Sequence, residues 1–180
     1  MPYNFIILFL YLFIIIIAVI GYGLIFYKFI DKKKKLNNFG YLGLLGLFFL
    51  TLYSYVSHLF YPHSLIHNSI IIALGCIAFI LKIKKFNFIK KDFLILFGIF
   101  FLLFSGLLMS KNHDDFSYYH FPYTYYLTQH SLSFGLGNFG HGFRTPSSIF
   151  YLNSLFYLPM AKYYLFNIYF ILVIGLPTLF

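Results

Sequence analysis

The chain has 180 residues, of which 61% are hydrophobic and only 9% charged, and its mean hydropathy is +0.84. An ordinary soluble domain carries about 25% charged residues, so this composition excludes one. The formal net charge of +9 comes mostly from lysines clustered beside apolar runs, a pattern of membrane-flanking loops that excludes a nucleic-acid partner.

The apolar runs are long and unbroken, which fits helices and not the short alternating strands of a barrel. The expected fold is all-α: a polytopic transmembrane helical bundle of about six spans with a large extracytoplasmic loop. The first run covers residues 5–27 and is long enough for a core ~30 Å thick at ~1.5 Å per residue. No basic residue precedes it and no small-residue cleavage site follows, so it reads as a retained helix and not a signal peptide. Asp31 and Lys32 to Lys35 come next. Basic flanks stay in the cytoplasm, which puts the N-terminus outside.

The second run is residues 39–60, where Gly40, Gly43 and Gly46 recur every three residues. They offer a close-approach face, although glycines are common in membrane helices in any case. His58, His63 and His67 are expected close together on the outer side, as interfacial histidines or, less simply, as metal ligands. The third run, 67–83, returns inward and holds the single cysteine, Cys76, which reads as a small buried hydrophobe. Lys82, Lys84, Lys85, Lys90 and Lys91 form a second basic cluster. The fourth run, 92–109, goes outward, with Asp92 at its start where a helix N-terminus favours a negative charge. This orientation places all seven histidines on or near the outer side, together with only Lys111 and Arg144 of the 13 basic residues.

The outer loop, residues 110–146, holds two of the four acidic residues, the adjacent Asp114 and Asp115, and the only arginine, Arg144. The aspartates admit three roles. One could act as a general base on a hydroxyl. The pair could hold a divalent cation that binds a phosphate. Or they could cap a helix that begins near Phe116. Tyr118, Tyr119, Tyr123, Tyr125 and Tyr126 make an aromatic band suited to the interface or to stacking on a sugar. Pro122 predicts a kinked or divided helix. The glycine-rich stretch SFGLGNFGHGFRTP lacks the strand-then-helix setting of a phosphate loop and reads as irregular. Arg144 suits a bidentate phosphate contact or a lipid headgroup.

Beyond the loop, residues 147–161 are short for a span and are expected to cross at a tilt, to re-enter, or to lie on the outer face. Residues 163–180 form a further span, and the absence of a closing polar flank suggests the N-terminal fragment of a longer protein. The division expected is 1–91, a three-helix membrane region, and 92–180, the start of a second core. Abundant Ile, Lys, Phe, Asn and Tyr with no Trp suggest a bacterial, AT-rich source and so the inner membrane.

His113-Asp114-Asp115 with Tyr118-Tyr119-His120 behind them, followed by GNFGHGFRTPSSIFYLNSLFYLP, resembles the GT-C class of membrane glycosyltransferases and bacterial polytopic proteins related to it. The resemblance covers roughly residues 92–180. It departs from the GT-C pattern in having three helices ahead of the acidic loop, where that class has one. It implies Asp114 and Asp115 as catalytic residues or ligands of a divalent cation. It implies His113, Tyr118, Tyr119, His120, His141 and Arg144 as substrate-binding. The implied activity is transfer of a sugar from a polyprenyl-phosphate-linked lipid donor to an envelope glycan or lipid, among membrane lipids and without nucleic acid. The competing readings are an envelope polysaccharide polymerase or flippase-like protein, and a non-catalytic membrane protein or transporter. A transporter should place ionisable groups mid-membrane, and the apolar runs have none away from their ends.

Overall fold

The computed structural model describes residues 2–30, 38–84, 86, 88–109, 114–138, 140–144 and 147–160. Every regular element among them is helical: α1 (Pro2–Ile30), α2 (Phe39–Phe60), α3 (Leu65–Ile83), α4 (Lys90–Met109), α5 (His120–Gln129) and α6 (Ser148–Leu155), with short 3-10 turns in the loop. Three helices are long and apolar enough to cross a membrane: Phe5–Ile30, Phe39–Phe60 and Leu65–Ile83.

The helix ends follow local chemistry. Asn38 caps α2, its side-chain oxygen accepting from the Gly40 and Tyr41 amides at 2.6 and 3.2 Å, which satisfies donors a helix start leaves open. At α4 the Asp92 carboxylate reaches back to accept from the Ile89 amide at 2.9 Å, one half of a capping box. That is the structural role expected of Asp92.

The opening helix is the hub. Leu12, Ile15, Ile16, Val19, Ile20 and Tyr27 on α1 are almost wholly buried. Tyr27 meets Tyr41 and Tyr22 meets Phe49, so α2 runs antiparallel to α1. Cys76 lies against Ile14 and Phe79 against Gly21, so α3 runs parallel to it. Water does not drive apolar helices together inside lipid, so packing must come from close van der Waals fit. Glycines supply that fit. A Cβ at Gly21 would strike the Gly75 carbonyl, one at Gly23 the Leu42 carbonyl, and one at Gly46 the Val19 carbonyl. Gly46 is the member of the α2 glycine series for which close backbone approach is seen. Against α4 the fit is made by rings instead: Phe5, Phe9 and Phe13 on one face of α1 meet Phe97, Phe100 and Phe104 at centroid distances of 5.0 to 6.3 Å.

Lys28, Lys82, Lys84, Lys90 and Lys91 gather at one end of this bundle, where Tyr27 and Phe39 pack on Phe86 and Phe88. The second layer, α5, α6 and the loop between them, covers the other end. The His63 amide donates to the Leu127 carbonyl and the Leu132 amide to the His58 carbonyl, both at 3.0 Å, which ties this layer to the α2–α3 corner. Helix α6 has eight residues, about 12 Å of rise, so it is less than half a membrane crossing. Phe150 to Phe156 are all buried against the rest of the chain. The helix ends inside the apolar core, where the Tyr11 hydroxyl donates to the Phe156 carbonyl at 2.6 Å. Residues 163–180 lie outside the described residues.

Candidate functional site

At the α2–α3 corner, His58, His63 and His67 do come together. The rings of His58 and His63 are 5.2 Å apart, and those of His63 and His67 stack at 5.4 Å. Protein groups occupy both ring nitrogens of His63 and both of His67. His63 Nδ1 is 2.7 Å from Ser154 Oγ and its Nε2 is 3.1 Å from Ser57 Oγ. Ser154 donates to the Tyr151 carbonyl at 2.8 Å, so it accepts from His63 Nδ1–H; in the neutral ring Nε2 is then an acceptor, and the Ser57 hydroxyl proton is shared between it and the Ser54 carbonyl at 3.3 Å. His67 bonds Tyr53 and Asn68. The Asn68 amide nitrogen lies within 2.9 Å of three carbonyls, on His63, Ser154 and Tyr157, and shares its two N–H groups among them. This knot clamps α6 to the α2–α3 corner.

Burial first, then the neighbouring His58 and His67, pull the His63 pKa down to about 3. The folded protein therefore holds a neutral imidazole, while the unfolded chain binds a proton near pH ~6.5. Between those values the unfolded state carries more protons, so stability falls as pH drops through 6.5 and levels off below about 3. The slope from this one group approaches about 1.4 kcal/mol per pH unit. Thermal melts of the detergent-solubilised protein should show this acid loss, and His63→Gln, which keeps one donor and one acceptor, should flatten it. An unchanged slope in that variant would assign the loss to another group.

Beside the knot, a cavity of about 480 Å³ opens between α5, the end of α2 and the glycine-rich loop. His58, Tyr123, Tyr126, Asn138, Arg144 and Tyr151 are among its walls. The loop bends through two 3-10 turns, Leu136–Asn138 and His141–Arg144, with Gly135 at φ 80°, a left-handed conformation that glycine adopts without strain. Arg144 Nε donates to the Gly137 carbonyl at 3.0 Å. Burial, and next the hydrogen bond to Tyr151, push the Tyr123 phenol above its ordinary range, so it stays protonated. His58 Nε2 donates to the His130 carbonyl at 2.9 Å, and its buried Nδ1 has no partner among the described residues. Sequence reasoning missed Asn138 and Tyr151 as walls, because only the folded loop brings them to the cavity.

The acidic pair lies elsewhere in the same layer. Asp114 and Asp115 form a 3-10 turn with Phe116, Asp114 exposed and Asp115 half-buried, and neither lines the cavity. The Asp115 carbonyl accepts from the Tyr118 and Tyr119 amides at 3.1 and 3.2 Å. A helix starting near Phe116 and capped by these aspartates is not what forms. Helix α5 starts at His120, its N-cap is Tyr119, and the Tyr119 side chain makes no capping bond. Pro122 does not divide a helix: α5 runs through it from His120 to Gln129. Pro122 sits in the first turn of α5, where its missing N–H is not needed.

Tyr118 is 79% exposed. Tyr119 packs on His120 at 4.4 Å, and His120 is buried against Phe150 at 5.2 Å. His113 and the His141 side chain lie outside the described residues. The structure thus joins Tyr119 with His120, and places Arg144 apart from them on the cavity wall. Among the described residues no group of three His, Cys, Asp or Glu side chains is placed to hold a metal. Asp114 and Asp115 would hold a divalent cation only with oxygens from substrate or water, as Mg²⁺ sites often do.

No curated protein and no solved structure matches this chain. A family model, described as a domain of unknown function (DUF8201), matches residues 5–179. That match runs over nearly all of the helices and the loop described above, and the chain belongs to the DUF8201 family.

Proposed function

We propose that the protein is a membrane glycosyltransferase of GT-C type, moving a sugar from a polyprenyl-phosphate-linked donor to an envelope glycan or lipid. The observation that carries this reading is the state of the acidic turn. Asp114 is exposed, and the N-cap of α5 is Tyr119 and neither aspartate. The N-cap position that competed for these residues is therefore held by Tyr119. In this reading Asp114 takes the acceptor proton, and Asp115 positions it or shares a divalent cation with the donor phosphate.

The separation of charge supports a bacterial inner-membrane topology with the N-terminus and residues 110–146 outside. Lysines mark one end of the bundle, and His58, His63, His67, His120 and Arg144 the other. In this topology α4 is a fourth span and 163–180 a further one, giving about six with α6 counted as a partial crossing.

Transfer of labelled sugar from polyprenyl-phosphate donors, in membranes carrying wild type, Asp114→Asn or Asp115→Asn, tests the proposal. The alternative, a polysaccharide polymerase or flippase-like protein, would rely on arginines in the outer loop, and the single Arg144 argues against it. Flux of lipid-linked glycan that survives loss of both aspartates would favour it.

A further inference from the structure

We infer that the cavity beside the α2–α3 corner binds an anionic saccharide, a sugar ring that carries a phosphate or a carboxylate. The anionic part is argued from Arg144. A guanidinium has five N–H donors, and here Nε alone is used, on the Gly137 carbonyl. The side chain is exposed at the cavity wall, and among the described residues no ion pair neutralises it. It is also seated: a Cβ on Gly137 would come within 3.2 Å of Arg144 Cγ, so the glycine makes room for the arginine to lie across the loop. A fixed fork with four open donors suits the paired oxygens of a phosphate or carboxylate.

The ring part is argued from the other walls. The Tyr126 hydroxyl donates to Ser133 Oγ at 2.6 Å, which leaves the Ser133 hydroxyl proton for a ligand oxygen. Asn138 is exposed at the same wall and offers both a donor and an acceptor. The rings of Tyr123 and Tyr151 stand 6.4 Å apart at 74°, giving an aromatic wall. A volume of about 480 Å³ is that of a small-molecule site and is far larger than a lone ion needs. Hydroxyl-directed polar groups beside aromatic rings and a cation match a charged sugar better than an acyl chain or free phosphate. The saccharide class rests on the glycosyl-transfer reading, whereas the anionic class rests on Arg144.

Calorimetry on the full chain in a detergent without a sugar headgroup tests the inference. The probes are glucose 1-phosphate and methyl glucuronide, with methyl glucoside and inorganic phosphate as comparators. One anionic sugar should bind at least about 10-fold more tightly than either comparator. Binding of glucose 1-phosphate identifies a sugar-phosphate site, and binding of the glucuronide an acidic-glycan site. Arg144→Gln should weaken the interaction by about 10- to 100-fold. Gly137→Val, which keeps the charge but unseats it, should weaken it too. Gly106→Leu, on α4 where an added Cβ has no atom within 4 Å, should bind as wild type. The inference is overturned if inorganic phosphate binds as tightly as the sugars, if neither anionic sugar binds, or if Arg144→Gln binds normally. If instead binding holds and the double aspartate variant still transfers sugar, the transferase reading fails and the binding site stands.

Discussion

Asp114→Asn is expected to lower sugar transfer by about 10²- to 10⁴-fold, the usual contribution of a positioned general base. Asparagine keeps the shape of the side chain but has no basic oxygen to take the acceptor proton. Asp114 is exposed in its 3-10 turn, so the change removes no buried contact, and the amount of inserted protein should be unchanged. Asp115→Asn should reduce transfer as well, through the half-buried carboxylate next to the base. If the two act as a unit, the double variant will be little worse than the worse single one. A cation shared by the pair would add a second signature: chelation would stop wild-type transfer, and added Mg²⁺ would restore it. Wild-type rates in both single variants would remove the pair from the chemistry.

Gly21→Leu should be the most damaging change in the helical bundle. Its first carbon alone would strike the Gly75 carbonyl, and the Gly75 and Phe79 backbones stand behind it. A side chain in the way could rotate, but backbone cannot, so α1 and α3 would have to separate. Overpacking of this kind costs about 1–3 kcal/mol and more where relief is blocked. Gly46→Leu should do the same between α1 and α2, against the Val19 carbonyl. Gly98→Leu and Gly106→Leu are the controls. They add the same side chain to α4, where no atom lies within 4 Å, and should stay within about 0.5 kcal/mol of wild type. Thermal melts of the solubilised variants, with recovery of monodisperse protein, distinguish these outcomes. Equal losses at Gly21 and Gly98 would mean that glycine content matters there and close approach does not.

The long helices are legible in the sequence because their cause is local. An uninterrupted apolar run must satisfy its own backbone, and the run expected at 39–60 is α2, Phe39–Phe60. The third run starts two residues earlier than its apolar pattern, because Ser64 supplies a cap whose Oγ accepts from the His67 amide. What was not legible depends on distant partners. Nothing near His63 in the sequence announces Ser154, 91 residues away, as its hydrogen-bond partner. The spacing of His63 and His67 raises a metal site, yet both nitrogens of each ring bond protein groups, on Ser57 and Ser154 for His63 and on Tyr53 and Asn68 for His67. The start of α5 was misplaced because two aspartates before an aromatic run look like a cap. The turn at 117–119 intervenes, and only the folded chain shows it. Arg144 was legible as an anion contact from its residue type, but its cavity needed Tyr151 from α6 and His58 from α2.

The bond between the Tyr11 hydroxyl and the Phe156 carbonyl bridges 145 residues. Ribosomes add about 5–20 residues per second, so α1 is made some ~7–30 s before its partner exists. During that interval the hub helix carries a phenol without its final acceptor, and the chain grows around an unfinished centre. The last described helix therefore closes what the first one opens. Completion of α6 becomes a natural checkpoint: a nascent chain stopped before Phe156 should remain open to chaperones and membrane proteases, and one extended past it should resist them.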